Sequence, residues 1–304
     1  MLVRAPLRVA VRTLVSCRPG LRLVNVVHSH LSPRARRRFF HLCCDEMWRV
    51  EGRWSVNFAG RRLVLPLSRE FADAWLAAIG FHGYDSDVHA LYEALVRGPR
   101  PPRVVFDVGA SYGLHALRFL VHGARVIAFE PNPECHRWFR AWCAANNVPY
   151  ELEPVAVGDR SDRVVLAFPE GRTYLGSIIP DVRAQWRGPV RTLTAQQVAL
   201  DDVVAARGLV PDLVKIDTEG AEVAVLRGAV DLLRTSRPML IFEAWPDAHV
   251  RRTLWTLLDK HGYAIGAVDG SRPQALTRVA FCGAHATNFL AEVPPGRVIH
   301  SARQ

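Results

Sequence analysis

The stretch Val104-Val-Phe-Asp-Val-Gly-Ala-Ser-Tyr-Gly113 decides the fold, because it joins a short β-branched and aromatic run to a turn that contains two glycines. An apolar face at helical spacing follows the turn, formed by Leu114, Leu117, Leu120 and Val121. An apolar run, a glycine turn and an amphipathic helix in this order are typical of a βα unit. The sequence therefore predicts a strand and then a helix from residue 104 onward.

The same order of strand, turn and helix recurs towards the carboxyl terminus. A second apolar run, Arg125–Phe129, precedes a helical face of Cys135, Trp138, Phe139, Trp142 and Cys143. Further strands are expected around residues 151–157, 213–216, 239–242 and 263–267. Strands that alternate with helices form a mainly parallel, doubly wound α/β sheet, whose ligands bind beyond the carboxyl ends of the strands. We expect the functional site at that edge.

The glycine turn after the first strand favours one class of ligand over two others. In a dinucleotide loop of the form G-x-G-x-x-G, Ser111 and Leu114 would occupy the places of the second and third glycines. No lysine follows the turn in the G-K-S/T pattern of nucleoside-triphosphate sites. Glu130 ends the next strand, where a carboxylate can accept hydrogen bonds from ribose hydroxyls. The pattern indicates a nucleoside ligand without phosphates; a turn without a ligand is the alternative for the glycines alone.

Five motifs together resemble the FkbM-type methyltransferases. They are Phe106-Asp-Val-Gly-Ala-Ser-Tyr-Gly113, Ala128-Phe-Glu-Pro-Asn-Pro133, Ala156-Val-Gly-Asp159, Leu200-Asp-Asp202 and Leu213-Val-Lys-Ile-Asp-Thr-Glu-Gly-Ala-Glu222-Val-Ala-Val-Leu-Arg-Gly-Ala229. The last motif is the most specific, and the resemblance covers about residues 100–292. It implies a class I, Rossmann-like methyltransferase fold with S-adenosylmethionine as the cofactor.

The resemblance also implies which residues bind the cofactor. The matching positions are Asp107, Gly109 and Gly113 for the methionine part, Glu130 for the ribose, and Val157 and Asp159 for the border of the adenine. Ser111 belongs to the same loop and stands where such families often have asparagine. For Asp159, a turn residue ahead of the next strand is the alternative interpretation.

A second group of candidate residues lies in the segment Lys215–Glu222. Strand alternation puts Lys215 and Asp217 on one side of a strand, with Asp217 at its carboxyl end, while Glu219 and Glu222 enter the following helix. These carboxylates are expected to converge near the cleft. Asp217, Glu219 and Glu222 are therefore the candidates for seating the cofactor or accepting a proton. A glutamate in a first helical turn also suits capping or an ion pair, which is the alternative for Glu222.

The methyl acceptor is expected to be a hydroxyl. The sequence Asp217-Thr-Glu-Gly220 stands where amine methylation would need an Asn/Asp-Pro-Pro-aromatic motif, and no Pro-Cys pair is present for attack on a pyrimidine. The resemblance implies O-methylation of a small molecule or glycan, of the secondary-metabolite or sugar type. No metal site is expected. The alternatives are an RNA methyltransferase that uses the basic amino-terminal arm and a non-catalytic, membrane-associated binding protein.

Charge is distributed unevenly along the 304 residues. The chain has 39 basic and 29 acidic residues, but residues 1–40 contain nine arginines and no acidic residue. The remainder is nearly neutral, whereas nucleic-acid enzymes usually spread basic charge over the substrate face, so a nucleic-acid partner is not expected. Apolar residues and arginines from Val3 to Val15 follow helical spacing. This pattern fits a peripheral contact with an anionic membrane, a targeting peptide or a solvated extension.

Four segments are expected along the chain. Residues 1–47 form the basic arm, residues 48–102 a hairpin and helical lid, residues 103–295 the methyltransferase domain, and residues 296–304 a tail. The hairpin strands are predicted at Trp54–Phe58 and Arg62–Pro66, and the segment Phe168–Pro189, which contains Tyr174, is expected to be an acceptor-facing loop. Six cysteines without metal or zinc-finger spacing fit a reducing compartment, so a cytoplasmic location is expected.

Overall fold

The computed structural model describes residues 4–44, 48–84, 86–170, 176–270 and 273–295. Its first seven elements, between residues 4 and 97, form the N-terminal layer. They are α1 (Arg4–Val15), α2 (Arg18–Ser29), α3 (Pro33–Cys43), β1 (Gly52–Phe58), β2 (Arg61–Leu67), α4 (Ala72–Gly83) and α5 (Ser86–Arg97). β1 and β2 pair as the antiparallel hairpin that the sequence predicts. Ala59 and Gly60 form its two-residue turn, with positive φ angles of 49° and 86°.

The remaining elements alternate between strands and helices. In chain order they are β3 (Val104–Val108), α6 (Leu114–Leu120), β4 (Arg125–Phe129), α7 (Pro133–Ala145), β5 (Glu151–Glu153), β6 (Ala156–Val157), β7 (Asp162–Pro169), α8 (Pro180–Arg183), β8 (Val190–Val198), α9 (Leu200–Arg207), β9 (Leu213–Ile216), α10 (Glu222–Arg227), α11 (Val230–Thr235), β10 (Met239–Glu243), α12 (Ala248–Lys260), β11 (Ala264–Ala267), α13 (Arg278–Cys282) and β12 (Asn288–Glu292). The strand expected around residues 151–157 is divided into β5 and β6.

The central sheet has seven strands in the order β11-β12-β10-β9-β3-β4-β5. β12 is antiparallel to both of its neighbours, and the other neighbouring pairs are parallel. The mainly parallel, doubly wound sheet predicted from the sequence is thereby confirmed. The chain enters the sheet at β3, runs outward to β5 and returns to β9, so the strand order reverses between β3 and β9. Ligand sites of such sheets lie at this reversal, beyond the carboxyl ends of the strands.

Two apolar cores cover the two faces of the sheet. One core joins Phe106 and Ile216 to helices α9 to α12. The other core contains Phe119 of α6 and Phe139 of α7, and the buried Trp54 and Trp75 of the N-terminal layer belong to the same cluster. The lid expected at residues 48–102 therefore shares its core with the sheet.

The basic arm is folded between residues 4 and 44. Val15 and Leu21 are buried, because the apolar residues that recur at helical spacing pack inward. The side chain of Asn25 donates to the carbonyl of Ser55 at 2.8 Å and accepts from the Ser55 amide at 2.9 Å, which ties α2 to the hairpin. The interpretation of these residues as a solvated extension was therefore wrong.

The segment expected as an acceptor-facing loop contains regular structure. β7 and β8 pair as an antiparallel hairpin beside β6, and α8 lies between them in the chain. Tyr174 and the tail at residues 296–304 lie outside the described residues. In the described ranges, every helix is too short or too polar to cross a bilayer. The described residues include all six cysteines, and no disulfide joins any of them. Cys135 and Cys143 are buried, as the helical pattern predicts.

Candidate active site

A cavity of about 560 Å³ opens at the carboxyl ends of β3, β4, β9 and β10. The glycine turn after β3, Glu130 after β4, and Asp217 and Glu219 after β9 all contribute to its wall, together with Glu243 at the end of β10. α3 and α4 of the N-terminal layer complete the wall. The cavity has the size of a small-molecule site and lies at the strand-order reversal, where the topology predicts a ligand.

Both predicted glycines of the turn have a packing reason. Gly109 has a φ of +75°, and a Cβ there would lie 1.8 Å from the carbonyl oxygen of Asp217. Gly113 has a φ of +82°, and a Cβ there would lie 2.2 Å from the ring of Phe139. The turn can therefore approach β9 and α7 only without side chains at these positions. Ser111, between them, also has a left-handed backbone with a φ of 50°.

Glu130 holds the glycine turn from the end of β4. Its Oε2 accepts a hydrogen bond from the Ser111 amide at 2.8 Å, and its Oε1 accepts one from the Asn132 amide at 2.7 Å. Burial raises the pKa of Glu130 to about 7, although these two hydrogen bonds favour the charged form. Each carboxylate oxygen keeps acceptor capacity on the side of the cavity. Glu130 therefore suits the predicted role of ribose acceptor.

Lys215 joins two carboxylates beneath the cavity. Its Nζ lies 3.0 Å from Oδ2 of Asp217 and 3.8 Å from Oδ1 of the buried Asp107. Burial disfavours the Lys215 ammonium, but the charges of Asp217 and Asp107 outweigh burial and raise its pKa. Burial also raises the pKa of Asp107, against the opposing charge of Lys215. Asp107 thus contacts the lysine beneath the cavity wall, and the lysine links it to Asp217.

Three carboxylates converge at the ends of β9 and β10. One oxygen each of Asp217, Glu219 and Glu243 lies within 4.8 Å of the other two. Burial, together with the charges of Asp217 and Glu222, raises the pKa of Glu219 to about 8. Burial and the neighbouring carboxylates also raise the pKa of Glu243, which accepts a hydrogen bond from Trp245 Nε1 at 3.0 Å. This carboxylate group favours a positively charged ligand, because a nearby cation would stabilise the ionised forms.

Glu243 was missed in the sequence analysis, although its position carried a signal. It is the last residue of β10, and β10 lies directly beside β9 in the sheet. Ligands of such sheets bind beyond the carboxyl ends of the strands, and this rule identified Asp217 after β9. The same rule applies to a carboxylate at the carboxyl end of β10.

Glu222 is buried behind the wall. Its Oε1 accepts hydrogen bonds from the Thr218 amide at 3.0 Å, the Thr218 hydroxyl at 2.9 Å and the Gly220 amide at 3.2 Å. These contacts hold the loop after β9, in which Glu219 adopts a left-handed backbone with a φ of 53°. Glu222 therefore has the capping role that was the alternative interpretation. The prediction that it faces the cleft was wrong.

The two positions predicted beside the adenine separate in the structure. Val157 contributes to the cavity wall with Phe129 and Ala156, which gives this part an apolar surface. Asp159 is exposed in the turn before β7, and its carboxylate lies 3.5 Å from Arg160. Asp159 is therefore a turn residue, as the alternative interpretation proposed, because the chain has already left the sheet edge at this point.

The N-terminal layer adds wall residues that the sequence patterns did not identify. Phe40 of α3, Leu76 and Phe81 of α4, and Tyr84 directly after α4 give this part of the cavity an apolar and aromatic character. Arg118 of α6 lies over the Phe81 ring, 3.9 Å from its centroid.

His115 is a further wall residue, and its Nδ1 lies 3.0 Å from the Tyr92 hydroxyl. Burial and the nearby charges of Lys215 and Arg118 hold the pKa of His115 well below its usual range, so the ring is neutral.

Comparisons with known proteins identify a methyltransferase family. A sequence profile of the Methyltransferase FkbM domain matches residues 107–265. The chain is 33% identical to the 31-O-demethyl-FK506 methyltransferase FkbM of Streptomyces tacrolimicus, over 43% of this chain and 61% of that protein. It is 27% identical to the hexuronic acid methyltransferase AglP of Haloferax volcanii, over 43% of this chain and 52% of that protein.

A solved structure gives a weaker match. The crystal structure of Methyltransferase FkbM from Methylobacillus flagellatus KT aligns with a TM-score of 0.40 at 16% identity, over 73% of this chain and 54% of that chain. The chain thus spans between half and two thirds of the length of these three relatives.

Proposed function

The chain belongs to the Methyltransferase FkbM domain family, and we propose that it transfers a methyl group from S-adenosylmethionine to a hydroxyl of a small-molecule or glycan acceptor. The observation that carries this proposal is the cavity in which the glycine turn and Glu130 meet the carboxylates of β9 and β10. Two relatives support the acceptor class, since one is named for 31-O-demethyl-FK506 and the other for a hexuronic acid. The cytoplasmic location stays a prediction.

The residues around the glycine turn fit an adenosyl cofactor. Gly109 leaves its part of the wall without a side chain, and Glu130 has acceptor capacity for two ribose hydroxyls. The apolar surface at Val157 and Phe129 suits an adenine ring. Lys215 and Asp217 carry opposite charges at the wall, which suits the carboxylate and ammonium of the methionine part. Asp107 would act through Lys215 by holding its ammonium in place.

The chain's own contribution to the reaction is alignment first and proton transfer second. When bound, S-adenosylmethionine supplies a methyl group that its positively charged sulfur has already activated. Holding the acceptor hydroxyl in line with that methyl group is worth on the order of 7–11 kcal/mol. A general base adds about 10²–10⁴-fold. Asp217 is the first candidate for accepting the hydroxyl proton or seating the cofactor, and Glu219 is the second.

The N-terminal layer is proposed to bind the acceptor. Its apolar and aromatic wall, which includes Phe40 and Tyr84, suits an acceptor with an apolar body. Arg118 and the neutral His115 offer polar contacts to hydroxyl or carbonyl groups beside that wall. An RNA acceptor has less support. The described cavity wall is mainly apolar and acidic, whereas nucleic acid is usually bound by a basic surface.

Thermal unfolding with S-adenosylmethionine, S-adenosylhomocysteine and NAD, added separately, tests the cofactor. A ligand at about 100 times its Kd stabilises the folded state by about 2.7 kcal/mol and raises the unfolding midpoint by a few degrees. We expect shifts with the two adenosyl compounds and none with NAD. Glu130→Ala should abolish the shifts, whereas Glu134→Ala, at the start of α7, should keep them.

The measured quantity is the difference in midpoint with and without ligand, because Glu130 also holds the glycine turn and its loss lowers the midpoint itself. A shift with NAD alone would contradict the proposal. Equal shifts in Glu130→Ala and the unsubstituted chain would exclude the ribose role. With the cofactor established, a screen of hydroxylated small molecules and glycans for methyl transfer tests the acceptor class.

A further inference from the structure

The fold leaves an apolar stripe of α2 uncovered. Leu23, Val26 and Val27 lie at i, i+3 and i+4, so they share one side of the helix, and their exposed fractions are 54–57%. Leu21 and Val24, towards the other side, are buried against the layer. Single exposed apolar side chains are ordinary on a protein surface, whereas a stripe of them marks an interaction site.

The adjoining helix α1 adds to this surface. Leu7 and Leu14, two turns apart, share a side and are 54% and 40% exposed, while Val11 and Val15 are buried. α1 and α2 are held close together at Gly20, where a Cβ would lie 2.1 Å from the carbonyl oxygen of Leu14. The two stripes therefore belong to a fixed pair of helices.

Exposed arginines accompany these stripes on α2 and α3. Residues 1–44 contain nine arginines and no aspartate or glutamate. Arg22 lies beside the stripe of α2, and Arg34, Arg37 and Arg38 are exposed on α3. The apolar–basic face is defined here as Leu7, Leu14, Leu23, Val26 and Val27 with Arg22, Arg34, Arg37 and Arg38. Its net positive charge favours an occupant that is anionic and that also accepts apolar side chains.

We propose that the apolar–basic face docks peripherally on an anionic lipid surface. Arginines are attracted to anionic headgroups, and apolar side chains of a surface helix enter the boundary between headgroups and acyl chains. A nucleic acid would pair with the arginines but would leave Leu23, Val26 and Val27 in water. A lipid surface therefore accounts for both halves of the face.

Vesicle sedimentation of the full chain tests this docking. The probes are phosphatidylcholine vesicles with and without phosphatidylglycerol, at low and at physiological salt. Each arginine near an anionic surface is worth about 1 kcal/mol, or about fivefold in the partition coefficient. We expect binding to the vesicles that contain phosphatidylglycerol, weaker binding at higher salt, and at least tenfold weaker binding to phosphatidylcholine alone.

Two variants and their matched controls separate the two halves of the face. The apolar variant is Leu23→Ser, Val26→Ser and Val27→Ser, and its control is Val165→Ser, Val210→Ser and Val279→Ser, which are exposed valines elsewhere. The charge variant is Arg34→Gln, Arg37→Gln and Arg38→Gln, and its control is Arg160→Gln, Arg163→Gln and Arg252→Gln, which are exposed arginines elsewhere. Because all these side chains are exposed, an unchanged unfolding midpoint can verify that every variant folds.

We expect both face variants to reduce binding at least tenfold and both controls to keep it. Equal binding in a face variant and its control would overturn the proposal, as would equal binding to the two kinds of vesicle. A dimer that the apolar variant dissociates, without vesicle binding, would instead assign the face to a second copy of the chain. Displacement of the protein from vesicles by RNA at equal phosphate concentration would assign it to nucleic acid. No turnover is measured, so failure of docking and failure of methyl transfer are distinguishable.

Discussion

The N-terminal layer and the carboxyl edge of the sheet bury titratable groups of opposite kinds. In the layer, the rings of His82 and His89 lie 4.3 Å apart between centroids, and His28 lies 5.1 Å from Trp54. Burial, aided by nearby arginines, lowers the pKa of His28 to about 4, of His82 to about 2 and of His89 to about 3. At the edge, burial and neighbouring carboxylates raise the pKa values of Glu219 and Glu243.

This difference shows which region a positively charged ligand would stabilise. The histidines of the layer are neutral at pH 7 and pack as aromatic side chains, so a cation would not stabilise them. The edge concentrates carboxylates, and Lys215 contacts only Asp217 among the three that converge. The edge therefore gains most from a positively charged ligand, whereas the layer gains nothing from one.

Removal of the Asp217 carboxylate, which Lys215 contacts, should have the largest effect on methyl transfer. We expect Asp217→Asn to lower kcat by about 10²–10⁴-fold if Asp217 accepts the proton, as general bases do. Methyl transfer measured with the acceptor found by screening checks this, and KM is determined separately to detect a seating role. Asp162→Asn, at an exposed position of β7, is the control. Values of kcat and KM for Asp217→Asn that are both within twofold of those of the unsubstituted chain would rule out both roles.

Acid should destabilise the layer. His82 binds a proton in the unfolded chain below about pH 6.5 but not in the folded chain, because its folded pKa is about 2. The free energy of unfolding therefore decreases as pH falls below the pKa of the unfolded chain. The decrease is about 1.4 kcal/mol per pH unit, or about 3 kcal/mol at pH 4.5. His89, with Glu93 at 4.0 Å, adds to the loss in the same direction.

Unfolding midpoints between pH 7 and 4.5 check this prediction. His82→Leu should reduce the fall in midpoint, because it removes one of the groups that titrates only when unfolded. His249→Leu, at an exposed position of α12, should leave the fall unchanged. An identical decrease in midpoint in the two variants would show that His82 does not cause the acid sensitivity.

Alkali should destabilise the edge in the absence of ligand, by a smaller amount. The pKa of Glu219 is about 8 in the folded chain, so its stabilising contribution is complete below the unfolded value and is lost as pH rises through about 8. Partial exposure reduces the effect to a midpoint decrease of a few degrees between pH 5 and 9. Glu219→Gln should reduce this decrease, to which Glu243 also contributes, and Glu292→Gln, at the exposed end of β12, should leave it unchanged. A decrease of equal slope in both variants would contradict the assignment.

Local sequence patterns predicted most strands of the sheet and several residues of the candidate site. β3, β4, β9 and β10 were located from apolar runs, and the crevice rule then identified Glu130 and Asp217. The role of Glu222 could not be predicted, because it depends on how the loop after β9 folds back. β12 was missed because its apolar run, Phe289–Ala291, is only three residues long.

Long-range contacts explain the rest of what was missed. Phe40 and Asp217 belong to the same cavity, although 176 residues separate them in the chain. No spacing rule connects such distant positions, since their proximity follows from how α3 and α4 pack on the sheet. The exposed side of α2 likewise became evident only when the buried side was known, because both sides carry apolar residues.

The shared core of the layer and the sheet has an evolutionary consequence. The family match begins at residue 107, but the core that buries Phe139 also contains Trp54 and Trp75. The unit that is inherited as a family is therefore smaller than the unit that folds. A lineage that exchanged its amino-terminal segment would change the proposed acceptor wall and the stability of the sheet in one event. We therefore expect new substrate preferences only from segments that can also complete this core.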